Sequence, residues 1–182
     1  MSKTWFIADT HFSHANIIKY DERPFKDIQE MDEEIIKRWN KVVNNGDTVW
    51  FLGDFCFINK TDYIKNLVSR LKGRKYLVMG NHDSKSVGFY YTCGFERVYD
   101  HPVIVKNFFI LSHEPVYITN KMPYFNIYAH VHNHSAFKDK THNTCCVSCC
   151  RWDYTPIRIP EFDNYVEDER RNPAAEERLS DE

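Results

Sequence analysis

No apolar run in this sequence approaches the roughly 20 residues needed to cross a bilayer; the longest, such as Trp5 to Ala8 and Val49 to Leu52, are far shorter. The N-terminus also lacks the basic segment and following apolar stretch of a secretory signal. Charge of one sign is missing too: 24 Lys and Arg face 26 Asp and Glu, for a net charge of -2 and a pI near 6.5. Without a positive field, counterion release gives no hold on a nucleic-acid polymer. Internal repeats and low-complexity tracts are absent as well. These absences argue against a membrane-spanning chain and against a polymer-binding basic protein, and they lead to the expectation of a cytoplasmic location.

What is present is a core. Apolar residues make up 42% of 182 residues and aromatics 15%, enough for one domain to close without covalent staples. Six cysteines are therefore not read as a disulfide framework. Cys145, Cys146, Cys149 and Cys150 crowd together, whereas a four-thiolate zinc site takes two separated pairs. Alternation along a strand would send neighbouring thiols to opposite faces, so they are read as small buried hydrophobes in a late strand. A cysteine-based zinc or redox module is the competing reading, and alkylation without loss of metal or activity would dispose of it.

Short apolar runs alternate with helical patterns, which predicts a layered α/β domain. The strand candidates are Trp5 to Ala8, Val49 to Leu52, Tyr76 to Met79, Phe108 to Leu111 and Phe125 to Ala129. Ile28, Met31, Ile35, Trp39 and Val42 form one stripe on a long helix. Ile64, Leu67, Val68 and Leu71 form another, with Thr61 as its expected cap and Gly73 as its left-handed stop. Lys106-Asn107 is expected to turn a hairpin from Val103–Val105 into Phe108 to Leu111, so the sheet structure should be partly antiparallel. The domain is expected over 1–162, with 163–182 an acidic and loosely docked tail.

Metal-ligand residue types follow each strand candidate. Asp9 and His11 come after the first and Asp54 after the second. Asn81, His82 and Asp83 follow the third, His113 the fourth, and His130 and His132 the fifth. Ligands of open α/β sheets gather outside the carboxyl ends of the strands, so these groups should meet at one crevice. Residues two apart in extended chain share a face, which pairs Asp9 with His11 and His130 with His132. Gly53 and Gly80 remove side chains where the backbone must turn beside a crowded site. Two carboxylates, four imidazoles and an amide oxygen are too many donors for one ion. Two divalent ions sharing a bridging carboxylate would use the set, and nitrogen and oxygen donors in this mixture suit manganese, iron or zinc.

Asp9-Thr10-His11, Gly53-Asp54, Gly80-Asn81-His82-Asp83, His113 and Ala129-His130-Val131-His132 resemble, in order and spacing, the motifs of the calcineurin-like metallophosphoesterases, in their small single-domain branch. One departure is Ala129, where that family usually has Gly. The segment Trp152 to Ile159 resembles the closing strand region of its small members. The resemblance implies a four-layer sandwich of two mixed β-sheets flanked by helices. It also implies one ion on Asp9, His11, Asp54 and His132, and a second on Asp54, Asn81, His113 and His130. A water whose pKa the cations depress would be the nucleophile. His82 would stabilise charge or protonate the leaving oxygen, with Asp83 orienting its ring.

Around this set, His14, Asn16 and Arg23 are candidate substrate contacts alongside Asn81 and His82, with Arg23 able to grip a phosphate bidentately. A helix start at Ser13 is the structural alternative for that segment. Glu114 is a candidate hydrogen-bond partner for a ligand histidine. His101, His134 and His142 are read as surface residues, and Phe89, Tyr90, Tyr91 and Phe95 as packing. The expected activity is hydrolysis of a small phosphodiester or phosphomonoester, a nucleotide among the candidates, by a dinuclear centre with manganese favoured. An inactive scaffold on the same fold is the alternative; it predicts missing ligand types, and none is missing.

Overall fold

The structure is a computed structural model that describes residues 2–119, 121–134 and 143–165. Its first sheet has the order β1 (Thr4–Ile7), β2 (Thr48–Phe51), β3 (Arg74–Val78) and β4 (Arg97–Tyr99), parallel throughout. The second has the order β5 (Val103–Val105), β6 (Phe109–Leu111), β7 (Phe125–Tyr128) and β8 (Thr144–Cys146); its β5–β6 pair is antiparallel and the rest parallel. The expected mixed α/β fold of two sheets with helices is therefore present. Trp152 to Ile159 closes the first sheet through an antiparallel bridge between Phe6 and Ile157. Beyond β8, Ser148 bridges in parallel to Ala8, joining the chain after the second sheet to the first.

Period-two alternation in the central strands builds two cores. Ile7, Val49, Phe51 and Leu77 face the helices, while Phe6, Ala8, Trp50, Leu52 and Val78 face Phe109, Leu111, Phe125 and Ile127 of the second sheet. The long helix α2 (Ile28–Val42) forms because Met31, Ile35, Ile36 and Trp39 make one buried stripe. The Asp27 side chain caps it by accepting from the Glu30 N–H. Trp39 is fully buried and its indole N–H donates to the Lys72 carbonyl at 2.9 Å. Trp39→Ala should therefore lose about 3–5 kcal/mol of stability, read as a lowered urea midpoint at unchanged slope.

Several local expectations shift. Thr61 is the first residue of α3 (Thr61–Arg70) rather than its cap; Lys60 holds that position without a side-chain bond. Gly73 adopts a left-handed φ of 86°, three residues past the helix, and an added Cβ would lie 2.9 Å from Val43. Lys106 and Asn107 both turn left-handed, at φ 52° and 51°, and Phe108 belongs to the turn, so β6 begins at Phe109. No helix starts at Ser13; its amide and hydroxyl donate to Asp32, and the short α1 (Ile17–Tyr20) begins later. The helical layer described lies on the first sheet and is completed by α4 (Val87–Thr92). The C-terminal α5 (Pro160–Asp163) is docked, with Phe162 buried against Phe6 and Phe109 and Tyr165 stacked on Phe108. His142 and residues 166–182 lie outside the described residues. Among those described, no helix is long and apolar enough to cross a membrane.

Candidate functional site

The loops leaving β1, β2, β3, β6 and β7 meet at one end of the two sheets. Asp9, His11, Asp54, His130 and His132 all have positive φ, from 45° to 70°. Left-handed backbone at a non-glycine residue is sterically costly, by about 1–3 kcal/mol where strained, and persists only where surrounding structure enforces it. Asp9 and His11 come together through these left-handed turns rather than through extended strand, whereas His130 turns to Asn81 and His113 and His132 to His11.

Asp54 carries the geometry. Its Oδ1 accepts from the His82 N–H at 2.9 Å, while its Oδ2 lies 3.5 Å from both His11 Nε2 and His113 Nε2. On one side, His11 Nε2 and His132 Nε2 are 3.3 Å apart. On the other, Asn81 Oδ1 lies 3.0 Å from both His113 Nε2 and His130 Nδ1. The second nitrogens of two rings are fixed. His113 Nδ1 is 2.7 Å from the Leu52 carbonyl and His132 Nδ1 is 2.6 Å from Asp21 Oδ2, which leaves each Nε2 to offer a lone pair inward. Asp9 Oδ2 accepts from the His130 N–H and the Ser148 hydroxyl. Its Oδ1 is buried and has no hydrogen-bond partner.

A buried, unpartnered carboxylate oxygen is expensive, and so are two fully buried carboxylates facing each other's field. Cations between these donors remove both costs. Asp9, His11 and His132 form one group of donor atoms within 4.8 Å of one another, and Asp9, Asp54 and His113 form another. These residues fit divalent ions. The electrostatics agree: burial would raise the Asp54 carboxyl, but the hydrogen bond and charge of His113 and the charge of His11 hold it at about 2. Burial drives the His11 imidazole down to about 3. Burial would lower His113 as well, yet Asp54 and Asp9 lift it to about 9, a measure of how strongly the carboxylates call for positive charge.

The glycines are sterically required. A Cβ on Gly80 would fall 2.3 Å from Asp54 Oδ1, and one on Gly53, whose φ is +91°, would fall 2.4 Å from His113 Nδ1. Two expected roles are corrected. Asp83 does not orient the His82 ring; its carboxylate accepts from the N–H groups of Asp54, Phe55 and Gly80 at 2.8, 3.2 and 2.9 Å, lacing two ligand loops together. Asp83→Ala should strand those three donors, at about 1–3 kcal/mol for each left unpaired, and so lower the thermal midpoint along with metal affinity. Arg23 does not face a phosphate. It is 4% exposed, and its guanidinium donates to the Asp9 and Thr10 carbonyls at 2.8 and 2.9 Å and to Asp21.

His82 is exposed and His14 partly buried, with ring centroids 5.4 and 5.7 Å from that of His11, and Asn16 is exposed. Glu114 is exposed, and its described contact is its carbonyl, which accepts from Ser112. A cavity of about 290 Å³ opens beside Asn81 and His113, walled in part by Met79, His101 and Glu114. Cys145 sits in the core between the sheets and Cys149 in the core under the helices, so the cluster is split between two cores, and all six cysteines are thiols. Sequence reasoning missed Asp21, Ser148 and Arg151, whose guanidinium donates to the His132 carbonyl. None of these contacts leaves a spacing signal.

Known proteins are similar to this chain. A family model for calcineurin-like phosphoesterases matches residues 2–172. An uncharacterized protein of Methanocaldococcus jannaschii is 48% identical over 84 residues, which is 46% of this chain and 48% of that protein. The gene 66 protein of Mycobacterium phage L5 is 39% identical over 85 residues, 46% of this chain and 41% of the phage protein. Each match therefore spans less than half the length of the relative. The crystal structure of a protein of unknown function from Aquifex aeolicus superposes with a TM-score of 0.69 at 31% identity, covering 90% of this chain and 98% of that one. With every strand and ligand-bearing loop inside the matched segment, the chain belongs to the calcineurin-like phosphoesterase family.

Proposed function

We propose that this chain hydrolyses a phosphate ester of a small molecule, a phosphodiester or phosphomonoester, at a centre of two divalent ions. The observation that carries the reading is Asp54 Oδ2, equidistant at 3.5 Å from imidazole nitrogens belonging to two separate donor groups, with the unpartnered Asp9 Oδ1 beside them. One ion is assigned to Asp9, His11, Asp54 and His132, and the other to Asp54, Asn81, His113 and His130. Bound there, the pair supplies Lewis acidity at the phosphoryl oxygens and an activated water for in-line attack. Manganese is the favoured ion, with iron and zinc as alternatives, because the donors are imidazole nitrogens and oxygens without thiolate.

The chain's own residues do the rest. Asp21 and the Leu52 carbonyl hold the His132 and His113 rings in the tautomer that presents Nε2. The His82 imidazole, exposed beside His11 with ring centroids 5.4 Å apart, steadies charge on the phosphoryl group or gives a proton to the leaving oxygen. His14, Asn16 and Asn81 are the proposed substrate contacts. Six cysteines kept as thiols suit a reducing, cytoplasmic setting. Turnover of bis-p-nitrophenyl phosphate and of p-nitrophenyl phosphate by the manganese-loaded protein tests the reading. Hydrolysis of either that is abolished by chelation and restored by manganese is the expected result, whereas inactivity on both across manganese, iron and zinc would leave a metal-binding scaffold.

A further inference from the structure

Two of the large aromatic side chains most open to water stand at the rim of the donor cluster. Tyr20 is 73% exposed and Phe57 53% exposed. Between them lies His14, whose ring is stacked on Phe57 with centroids 4.2 Å apart and planes 9° from parallel, and which meets Tyr20 edge-on at 6.3 Å. His14 is in turn 5.7 Å, centroid to centroid, from His11. The aromatic surface therefore begins one ring away from a proposed metal ligand. Its backbone is held firmly: the Phe57 N–H donates to the Phe12 carbonyl at 2.9 Å, and Phe12 pairs with Cys56 in a parallel bridge. Phe12, Phe55 and Cys56 are buried by the same pairing, which turns Phe57 outward on a rigid base.

Exposed aromatic faces fixed beside a reaction centre suit another planar ring, because every heteroaromatic base offers a π-face and stacking is tolerant of its identity. We propose that His14, Phe57 and Tyr20 form a stacking shelf that takes the nucleobase of a nucleoside phosphoester whose phosphoryl group sits at the metal centre. This rests on the function proposed above and names its substrate class. The buried edge of the shelf adjoins His11, so phosphate and base would be held on neighbouring surfaces by one ligand of nucleoside size. A single such site needs no basic groove, in keeping with the net charge of -2.

The test uses manganese-loaded protein and two ligands whose P–C bond resists hydrolysis: the phosphonate analogue of thymidine 5′-phosphate and the same phosphonate on abasic deoxyribose. Calorimetry should find the base-bearing ligand bound about tenfold to a hundredfold more tightly. Phe57→Ala should bring the ratio of the two dissociation constants to within about twofold of one, Phe57→Trp should restore it, and Tyr20→Ala should reduce it. Tyr20 projects into solvent, so that variant remains informative if the change at Phe57 disturbs folding. Equal affinity for the two ligands in the unaltered protein, or a ratio untouched by both alanine variants, would overturn the shelf while leaving the metal centre standing. Phosphonate binding indifferent to manganese would overturn both.

Discussion

Asp54→Ala should remove both ions and reduce turnover by about a thousandfold or more, to the background of the assay. The size of the effect follows from position. Asp54 Oδ2 lies 3.5 Å from imidazole nitrogens on both sides, and Oδ1 is tied to the His82 N–H, so one substitution would delete a ligand from each proposed ion and release the loop after β3. Alanine at a φ of 59° adds backbone strain, so Asp54→Asn is the paired variant: it keeps the shape, tolerates the left-handed turn and removes only the charge. Both should show metal contents well below two per chain by elemental analysis. Full occupancy in Asp54→Asn with unchanged turnover would remove Asp54 from the bridge.

His82→Ala should behave oppositely: both ions kept, and kcat lowered by roughly a hundredfold to a thousandfold. The backbone N–H of residue 82, which donates to Asp54 Oδ1, survives the substitution, whereas the exposed imidazole is what the variant loses. KM should change less than kcat. Metal loss equal to that of Asp54→Ala would mean that residue 82 serves the site only through its structure.

The seven candidate metal ligands were legible in the sequence because they share one physical cause. Each follows an apolar run that becomes a strand, and parallel strands bring their carboxyl ends to one edge. The long helices were legible for the same kind of reason, a stripe at helical period. The short strand β4 left no signal, since three residues are too few to show alternation; β8 falls on Cys145 and Cys146 of the expected late strand, but Cys149 and Cys150 lie in a 3-10 turn beyond it. The supporting shell was illegible altogether. Asp21 meets His132 across 111 residues and Ser148 meets Asp9 across 139, distances at which only the finished fold decides who is neighbour to whom. Arg23 shows the converse error. An arginine shortly after the first motif suggests a bidentate grip on phosphate, but burial turned its donors to the carbonyls of Asp9 and Thr10. It shapes the ligand loop from behind.

Anomalous diffraction from crystals of the manganese-loaded protein tests the dinuclear centre most directly. Two peaks about 3.5–4 Å apart, flanking Asp54 Oδ2, are expected. A single peak, or metal bound away from Asp9, Asp54, Asn81 and His130, would contradict it.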